Sequence, residues 1–269
     1  MVRFISFGSG SSGNCYFLYT ASDGLLIDAG IGVRALKKFF REYGLNRQLV
    51  RRILVTHDHA DHIKSVGSMS HDLQLPVYAT RPVHGGIDRN YCVTRKVESE
   101  LRRYVEPGVT FQAGEFQVSP FTVPHDSTDN VGYLIETQGV RFCIVTDAGQ
   151  VTPDMGSYIT RANYLVIEAN HDREMLTQGP YPQYLKERIL STTGHLSNTP
   201  CAEAIAQYMS EDLRLVWLCH LSEENNHPEL ARKTVETVLR SFGIIAGKDL
   251  QLEVLKRTMP TGVFSLGLP

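Results

Sequence analysis

The chain has 269 residues, of which 42% are hydrophobic and 21% are charged, and its formal net charge is −2. This length suits one large domain or two small ones, and the composition excludes an intrinsically disordered chain and a fibrous repeat. No apolar run approaches the roughly 18 residues of a membrane-spanning helix, and no signal-peptide pattern opens the chain. We therefore expect a cytoplasmic protein without membrane contacts. The near-neutral charge leaves nucleic-acid binding open, because a phosphate-binding surface can be local.

The first half of the chain predicts five strands and one amphipathic helix. Apolar runs bounded by glycine and polar turns are typical of strands, here residues 2–6, 15–20, 24–28, 52–56 and 76–79. Apolar side chains at helical spacing predict the helix over residues 32–43. Residues 80–107 are polar and basic, and we interpret them as an inserted excursion or a lid.

The second half repeats this alternation. Strands are expected at residues 109–112, 116–123, 131–137, 141–146, 164–168, 213–219 and 250–255. Helices are expected at residues 200–209 and 228–242, each with a proline at its first position. The five cysteines show no Cys-x-x-Cys spacing, so we predict buried free thiols rather than disulfides or a thiolate zinc site.

Several polar residues able to bind metal ions follow the strand predicted at residues 52–56. Three histidines and a carboxylate follow it with the spacing His-x-His-x-Asp-His, at His57, His59, Asp61 and His62. Imidazole nitrogen and carboxylate oxygen are ligands for divalent ions such as zinc. A tight turn after a strand can direct such side chains at two neighbouring ions, so this segment predicts a metal site.

Four other polar residues come directly after apolar strands. They are Asp28, His125, Asp147 and His220. A single histidine after a strand is usually a surface or core residue. Several such residues together are what a metal site at one edge of a pair of sheets needs.

This ordered set of motifs resembles the metallo-β-lactamase superfamily over essentially the whole chain. The resemblance implies an α/β fold, an αββα sandwich of two mixed sheets flanked by helices, in a single domain over residues 1–269. Because His59 stands where di-iron flavoprotein relatives carry a glutamate, the resemblance favours hydrolysis over redox chemistry. The interval from Asp147 to His220 is too short for the additional domain of the β-CASP nucleases.

The resemblance also implies a cofactor and its ligands by position. The cofactor is two divalent ions, zinc or manganese, with iron as a further option. Asp28 is implied to orient the turn at residues 57–62, the histidine turn, without binding a metal ion itself. The implied ligands are His57, His59 and His125 for the first ion, Asp61, His62 and His220 for the second, and Asp147 as a bridge between them.

Four further segments, at residues 8–14, 168–172, 194–198 and 219–226, resemble the YycJ (WalJ) family of small bacterial proteins with this fold. That family is associated with 5′-to-3′ exonuclease action on DNA. The resemblance thus implies a dinuclear phosphodiesterase that attacks duplex DNA ends with a metal-bridging hydroxide. Asp61 is expected to orient the hydroxide, and His195 to stabilise the transition state or donate a proton.

Substrate contacts are predicted in two regions. The loop at residues 8–14 can hold a phosphate through hydroxyl and backbone N–H groups, or can simply form a tight turn. His195 precedes a predicted helix, and helix N-termini favour anions. For His71, His84 and His227, which lack a motif context, we expect loop positions. The candidate substrate-binding residues are Ser11, Ser12, Asn14, His171, Ser197 and Asn198.

Two other functions remain open on the sequence alone. One is a small-molecule hydrolase of the same fold that cleaves a thioester, a lactone or a cyclic phosphodiester. The other is a regulatory binding module that keeps its metals and acts through a protein partner, which the sequence does not identify. Turnover of a small substrate without salt-sensitive DNA binding would indicate the first function. A metal-loaded protein inert on every hydrolysable substrate would indicate the second.

Overall fold

Two seven-stranded sheets form the centre of the protein in a computed structural model that describes residues 1–267. The strands are β1 (Val2–Gly8), β2 (Cys15–Tyr19), β3 (Gly24–Ile27), β4 (Arg52–Leu54), β5 (Val77–Ala79), β6 (Arg102–Tyr104), β7 (Phe111–Ala113), β8 (Phe116–Thr122), β9 (Val131–Thr137), β10 (Val140–Val145), β11 (Tyr164–Glu168), β12 (Leu215–Cys219), β13 (Gln251–Val254) and β14 (Phe264–Leu266).

The two sheets share one pattern of strand pairing. The first has the order β14-β1-β2-β3-β4-β5-β6 and the second the order β13-β12-β11-β10-β9-β8-β7. Strands from β14 to β3 pair antiparallel and those from β3 to β6 pair parallel. In the second sheet the strands from β7 to β10 are antiparallel and those from β10 to β13 parallel. Each sheet therefore has a parallel half, in which the carboxyl ends of neighbouring strands meet at one edge.

Helices occupy the connections between the strands. They are α1 (Val33–Glu42), α2 (Ala60–Ile63), α3 (Val66–Leu73), α4 (Arg81–Arg89), α5 (Pro153–Ile159), α6 (Arg173–Gln178), α7 (Gln183–Leu190), α8 (Asn198–Tyr208) and α9 (Pro228–Ser241). Within residues 1–267, none of the helices combines the length and the hydrophobicity that a membrane crossing requires.

Three buried clusters give the fold its layers. Phe4, Tyr133 and Trp217 belong to a cluster between the two sheets. A second cluster joins α1, α3 and α4 to the outer face of the first sheet, and a third joins α5, α8 and α9 to the outer face of the second. The order helix, sheet, sheet, helix is the predicted αββα sandwich, which the structure confirms.

The predicted strands are all present, with ends that differ by a few residues, and α1 and α9 lie at their predicted positions. The placement of Pro200 at the first position of its helix is wrong, because α8 begins at Asn198 and Ser197 precedes it as the N-cap. Strands β6 and β14 and six of the helices were not predicted. All five cysteines are free thiols, and four of them are buried while Cys92 is half-buried.

The segment at residues 80–107 contains α4 and β6. Strand β6 pairs with β5 at the edge of the first sheet, and Val83 and Ile87 of α4 are buried in the core of that side. The interpretation of this segment as a lid stays a prediction.

Candidate metal centre

The histidine turn begins at His57, three residues after the end of β4, and is fixed by close backbone packing. His59 is the N-cap of α2, and His57 and His62 are fully buried. The backbone N–H of Asn14 donates to the carbonyl of Asp61 at 2.7 Å. A Cβ on Gly30 would stand 1.6 Å from that same carbonyl oxygen, so only glycine allows this approach.

His57, His59 and His125 form a first group whose ring nitrogens lie within 4.8 Å of one another. His57 Nδ1 lies 3.0 Å from the hydroxyl of Thr56, which itself donates to Asp28. Because that hydroxyl carries one proton, it accepts from Nδ1, and Nε2 of His57 keeps its lone pair. His125 Nδ1 likewise donates to the carbonyl of Gly194 at 3.0 Å.

The Nε2 atom of His57 shows that this group fits a metal ion. It is buried and has no hydrogen-bond partner within residues 1–267. A buried polar atom left unsatisfied costs about 1–3 kcal/mol. A divalent cation would satisfy the lone pair that the fold directs inward.

Asp61, His62 and His220 form a second group with ligand atoms equally close together. His62 Nδ1 donates to Asp28 at 2.7 Å, and His220 Nδ1 donates to Glu168 at 2.9 Å. Each ring is thereby fixed with Nε2 toward the group, as metal-binding histidines usually are.

Asp147 lies between the two groups and is 1% exposed. Its Oδ2 is 3.2 Å from His62 Nε2, and its Oδ1 is 3.8 Å from His125 Nε2. Burial would raise the pKa of the Asp147 carboxyl, but the nearby imidazoles of His220 and His62 hold that pKa well below its ordinary value. The carboxylate is therefore charged and faces ligand atoms of both groups.

Three of these residues have strained backbones at the ends of strands. Asp28, Asp147 and His220 have φ angles of 55°, 54° and 53°, in the left-handed region that residues other than glycine rarely adopt. They follow β3, β10 and β12. Such strain persists only where the surroundings fix it, and it concentrates at functional sites.

Glu168, at the end of β11, is a site residue that the sequence reasoning missed. Its Oε1 accepts from Nδ1 of His195 at 2.8 Å and of His220 at 2.9 Å. Its Oε2 accepts from the backbone N–H of Ala148 and of Leu196. Burial would raise the pKa of Glu168, but the His195 charge and the hydrogen bonds from His195 and His220 lower it to about 2. A carboxylate after an apolar strand was the available signal, the same one that indicated Asp28 and Asp147.

His195 lies beside both groups and is 18% exposed in its side chain. Its ring centroid is 5.0 Å from that of His125 and 5.3 Å from that of His220. Burial would lower the pKa of His195, but the Glu168 carboxylate outweighs burial and raises it. Since Nδ1 donates to Glu168, Nε2 is the ring nitrogen free for other contacts.

The predicted substrate-binding residues lie in different settings. Ser11 and Ser12 are exposed in the turn after β1. The amide of Asn14 is buried and donates to Asp61 Oδ2 at 3.2 Å. Asn198 is buried and exchanges two hydrogen bonds with the amide of Asn226. Their roles toward a substrate stay predictions.

His171 and Ser197 meet through a backbone bridge just ahead of α8, and the Ser197 side chain makes no capping hydrogen bond. His171 is 1% exposed, and neither of its ring nitrogens has a partner within residues 1–267. Burial lowers the pKa of His171 to about 4.

The three histidines without a motif context lie outside the cluster. The expectation of loop positions is wrong for His71 and His84, which belong to α3 and α4. His71 pairs with Glu98, and His84 Nε2 lies 3.2 Å from the carbonyl of Arg103. His227 is the N-cap of α9.

Comparison with known proteins agrees with the fold and the cluster. A family model described as "Beta-lactamase superfamily domain" matches residues 24–220. The chain is 34% identical over 262 residues to a Bacillus anthracis protein named Exodeoxyribonuclease YycJ, and the alignment covers 97% of this chain and 98% of the relative. The chain belongs to the YycJ-like family of the metallo-β-lactamase superfamily.

Two further proteins resemble this YycJ-like chain, one in sequence and one in fold. Exodeoxyribonuclease WalJ of Streptococcus pneumoniae is 34% identical to it over 244 residues, which cover 91% of this chain and 90% of the relative. The metallo-β-lactamase fold protein YhfI from Bacillus subtilis superimposes with a TM-score of 0.71 over 97% of this chain and 98% of that chain. At 16% identity the second likeness shows the fold alone.

Family membership gives the cluster its chemical meaning. Its side chains could hold divalent metal ions, and the protein is a metal-dependent hydrolase.

Proposed function

We propose that this protein is a dinuclear exonuclease that shortens DNA from its 5′ ends. The observation that carries the proposal is the pair of three-residue groups, each sized for one ion, with the carboxylate of Asp147 between them. Two relatives are named exodeoxyribonucleases, and each is 34% identical to the chain over at least 90% of both proteins.

The proposed ligands match the chemistry of divalent ions. The first group offers three imidazoles, while the second offers two imidazoles and a carboxylate, and such mixed nitrogen and oxygen sets suit zinc or manganese. When bound, two such ions would lower the pKa of a water molecule and offset negative charge on a phosphodiester. The proposed holders are His57, His59 and His125 for one ion, Asp61, His62 and His220 for the other, and Asp147 for both.

Asp61 is the proposed residue for orienting the attacking water. Its side chain is 22% exposed, whereas that of Asp147 is 2% exposed, so Asp61 is the more accessible of the two carboxylates. The amide of Asn14 donates to Asp61 Oδ2 at 3.2 Å and limits its rotation. A carboxylate so held can accept a hydrogen bond from a water molecule in one orientation.

His195 is the proposed proton donor to the leaving oxygen. Glu168 fixes the ring through Nδ1 at 2.8 Å, and the carboxylate favours the protonated imidazole. The free Nε2–H can then donate to the oxygen on which charge develops as the P–O bond breaks.

A time course with end-labelled DNA tests the proposal. Duplex DNA labelled at a 5′ end is incubated with the manganese-loaded protein, and a second sample carries the label at a 3′ end. Digestion from 5′ ends is expected to release the 5′ label early as short product. The 3′-labelled strand is expected to shorten stepwise. Asp147→Ala is the matched control, and we expect no cleavage from it.

Three results would contradict the proposal. Cleavage of closed circular DNA would indicate an endonuclease, and early release of the 3′ label would reverse the direction. An inert protein shown to hold two metals per chain would remove DNA as the substrate. Assays with small phosphodiesters, thioesters and lactones would then test for a small-molecule hydrolase.

A further inference from the structure

Helix α7 lies on the surface next to the metal centre and is joined to it by short hydrogen bonds. The helix has no buried residue. The backbone N–H of His195 donates to the carbonyl of Ile189 in the last turn of α7 at 2.9 Å. The carbonyl of Gly194 accepts from Nδ1 of His125. The end of this exposed helix is thus fixed to His195, and the loop that follows the helix is fixed to His125.

Arg188 of α7 reaches the mouth of the cluster through Asp126. Its Nε and Nη2 atoms donate to the two carboxylate oxygens of Asp126. Oδ1 of Asp126 lies 3.6 Å from Nε2 of His125 and 3.9 Å from Nε2 of His59. A single carboxylate, that of Asp126, therefore separates the Arg188 guanidinium from His59 and His125 of the first group.

The pair with Asp126 leaves most of the guanidinium free. A guanidinium has five N–H donors, and the carboxylate occupies two of them. The Nη1 atom makes no hydrogen bond within residues 1–267, and the side chain is 52% exposed. Asp126 thus holds the Arg188 guanidinium in place, while the outward N–H groups of that guanidinium can donate to a phosphate oxygen.

Tyr184 lies one helical turn before Arg188. Residues four apart occupy the same face of a helix, so Tyr184 lies on the face that Arg188 directs toward the cluster. Tyr184 is 72% exposed, so this large ring has a free aromatic face on the same side of the helix as Arg188. An aromatic ring beside a cation is the combination with which proteins bind single-stranded nucleic acid.

We propose that Tyr184 and Arg188 form a nucleotide subsite that receives single-stranded DNA beside the metal centre. Tyr184 stacks on a base, and Arg188 binds a neighbouring backbone phosphate. This inference rests on the proposed exonuclease function. It gives the substrate of that site a definite form, a strand end that is unpaired when it enters the site, whether it comes from a single strand or from the end of a duplex.

Kinetics on a single-stranded oligonucleotide test the subsite with the manganese-loaded protein. Because stacking on one aromatic ring contributes about 1–3 kcal/mol per base, we expect Tyr184→Ala to raise KM about tenfold. Tyr184→Trp keeps an aromatic face and is expected to retain the wild-type KM. Phe242→Ala is the matched control, because Phe242 is a 59% exposed aromatic at the end of α9, outside the cluster.

The phosphate contact has its own readout. Each phosphate contact to single-stranded nucleic acid contributes about 0.7 to the slope of log affinity against log salt concentration. Arg188→Gln is therefore expected to reduce the salt dependence of KM by about this amount. An unchanged slope would remove Arg188 from the subsite.

Failure of the inference differs from failure of the proposed function. If the wild type shortens DNA and Tyr184→Ala has the wild-type KM, the subsite is wrong while the exonuclease stands. A Tyr184→Trp variant as weak as Tyr184→Ala would exclude stacking and also overturn the subsite. If the wild type leaves all DNA intact, the proposed function fails, and the subsite fails with it.

Discussion

The carboxylate of Glu168 accepts from Nδ1 of two histidines with one oxygen and from two backbone N–H groups with the other. An amide in its place has only one accepting oxygen. The backbone donors cannot rearrange, so the amide oxygen of Glu168→Gln must face them and its NH₂ group must face the imidazoles. His195 and His220 would then carry their protons on Nε2, and His220 would lose the lone pair that the metal centre requires.

We therefore expect Glu168→Gln to weaken binding of the second metal ion and to reduce turnover about 10- to 100-fold, although the side chain keeps its size. Metal affinity by titration calorimetry and kcat on DNA check this. Glu236→Gln is the control, since Glu236 pairs with Arg232 on the exposed face of α9. A Glu168→Gln protein with wild-type metal affinity would show that the hydrogen bonds to Glu168 do not set the tautomers.

At the residue scale, the sequence predicted the cluster because ligand types are recognisable. Imidazole and carboxylate groups at the ends of apolar strands are uncommon enough to be noticed, and the structure gathers all the predicted ligands within one cluster. Residues that act through others were harder to find. Glu168 shows the local signal of a carboxylate at the end of an apolar strand, and Asn14 was predicted only as a substrate contact. The hydrogen bonds of Glu168 to His220 and of Asn14 to Asp61 join distant parts of the chain, so no local pattern encodes them.

At the scale of elements, α4 contacts the histidine turn through one glycine. A Cβ on Gly86 would stand 1.7 Å from Oδ2 of Asp58, and Asp58 accepts from both the backbone N–H and the hydroxyl of Thr128. Asp58 thereby ties the turn to the loop that carries His125. A methyl group at position 86 must displace this carboxylate.

Gly86→Ala is expected to destabilise the protein by about 1–3 kcal/mol, as overpacking of a fitted interior usually does. It should also weaken metal binding, because the displaced turn carries ligands of both groups. Urea denaturation and metal titration measure the two effects. Gly85→Ala, the adjacent residue of the same helix, meets only the end of the Arg89 side chain at 3.2 Å. We expect this control to be neutral or stabilising by about 0.5–1 kcal/mol, and equal effects of the two variants would contradict the argument.

Several of the elements that the sequence missed are short or lack an apolar stripe. Helix α2 has four residues and α7 has no buried side chain, so neither produces the recurring apolar spacing on which helix prediction depends. Strand β6 has the sequence Arg-Arg-Tyr and belongs to the sheet only through its pairing with β5. Tertiary contacts form these elements, whereas α1 and α9 carry their own patterns.

At the scale of the whole molecule, the candidate ligands come from both sheets. The histidine turn follows β4 of the first sheet, while Asp147 and His220 follow β10 and β12 of the second. Metal ions at this edge would therefore link the two halves of the sandwich. In their absence, His57 Nε2 is a buried polar atom whose desolvation no hydrogen bond within residues 1–267 compensates.

Removal of the metals is therefore expected to lower the thermal stability of the protein. An ion present at about 100 times its Kd adds about 2.7 kcal/mol to the free energy of unfolding. For a chain of this size, that corresponds to a fall in Tm of about 5–10 °C after dialysis against a chelator. Asp147→Ala should lose this dependence on the chelator, and Asp212→Ala, at an exposed ion pair with Arg141, should keep it. A wild-type Tm that the chelator leaves unchanged would show that the two sheets hold together without help from the metal centre.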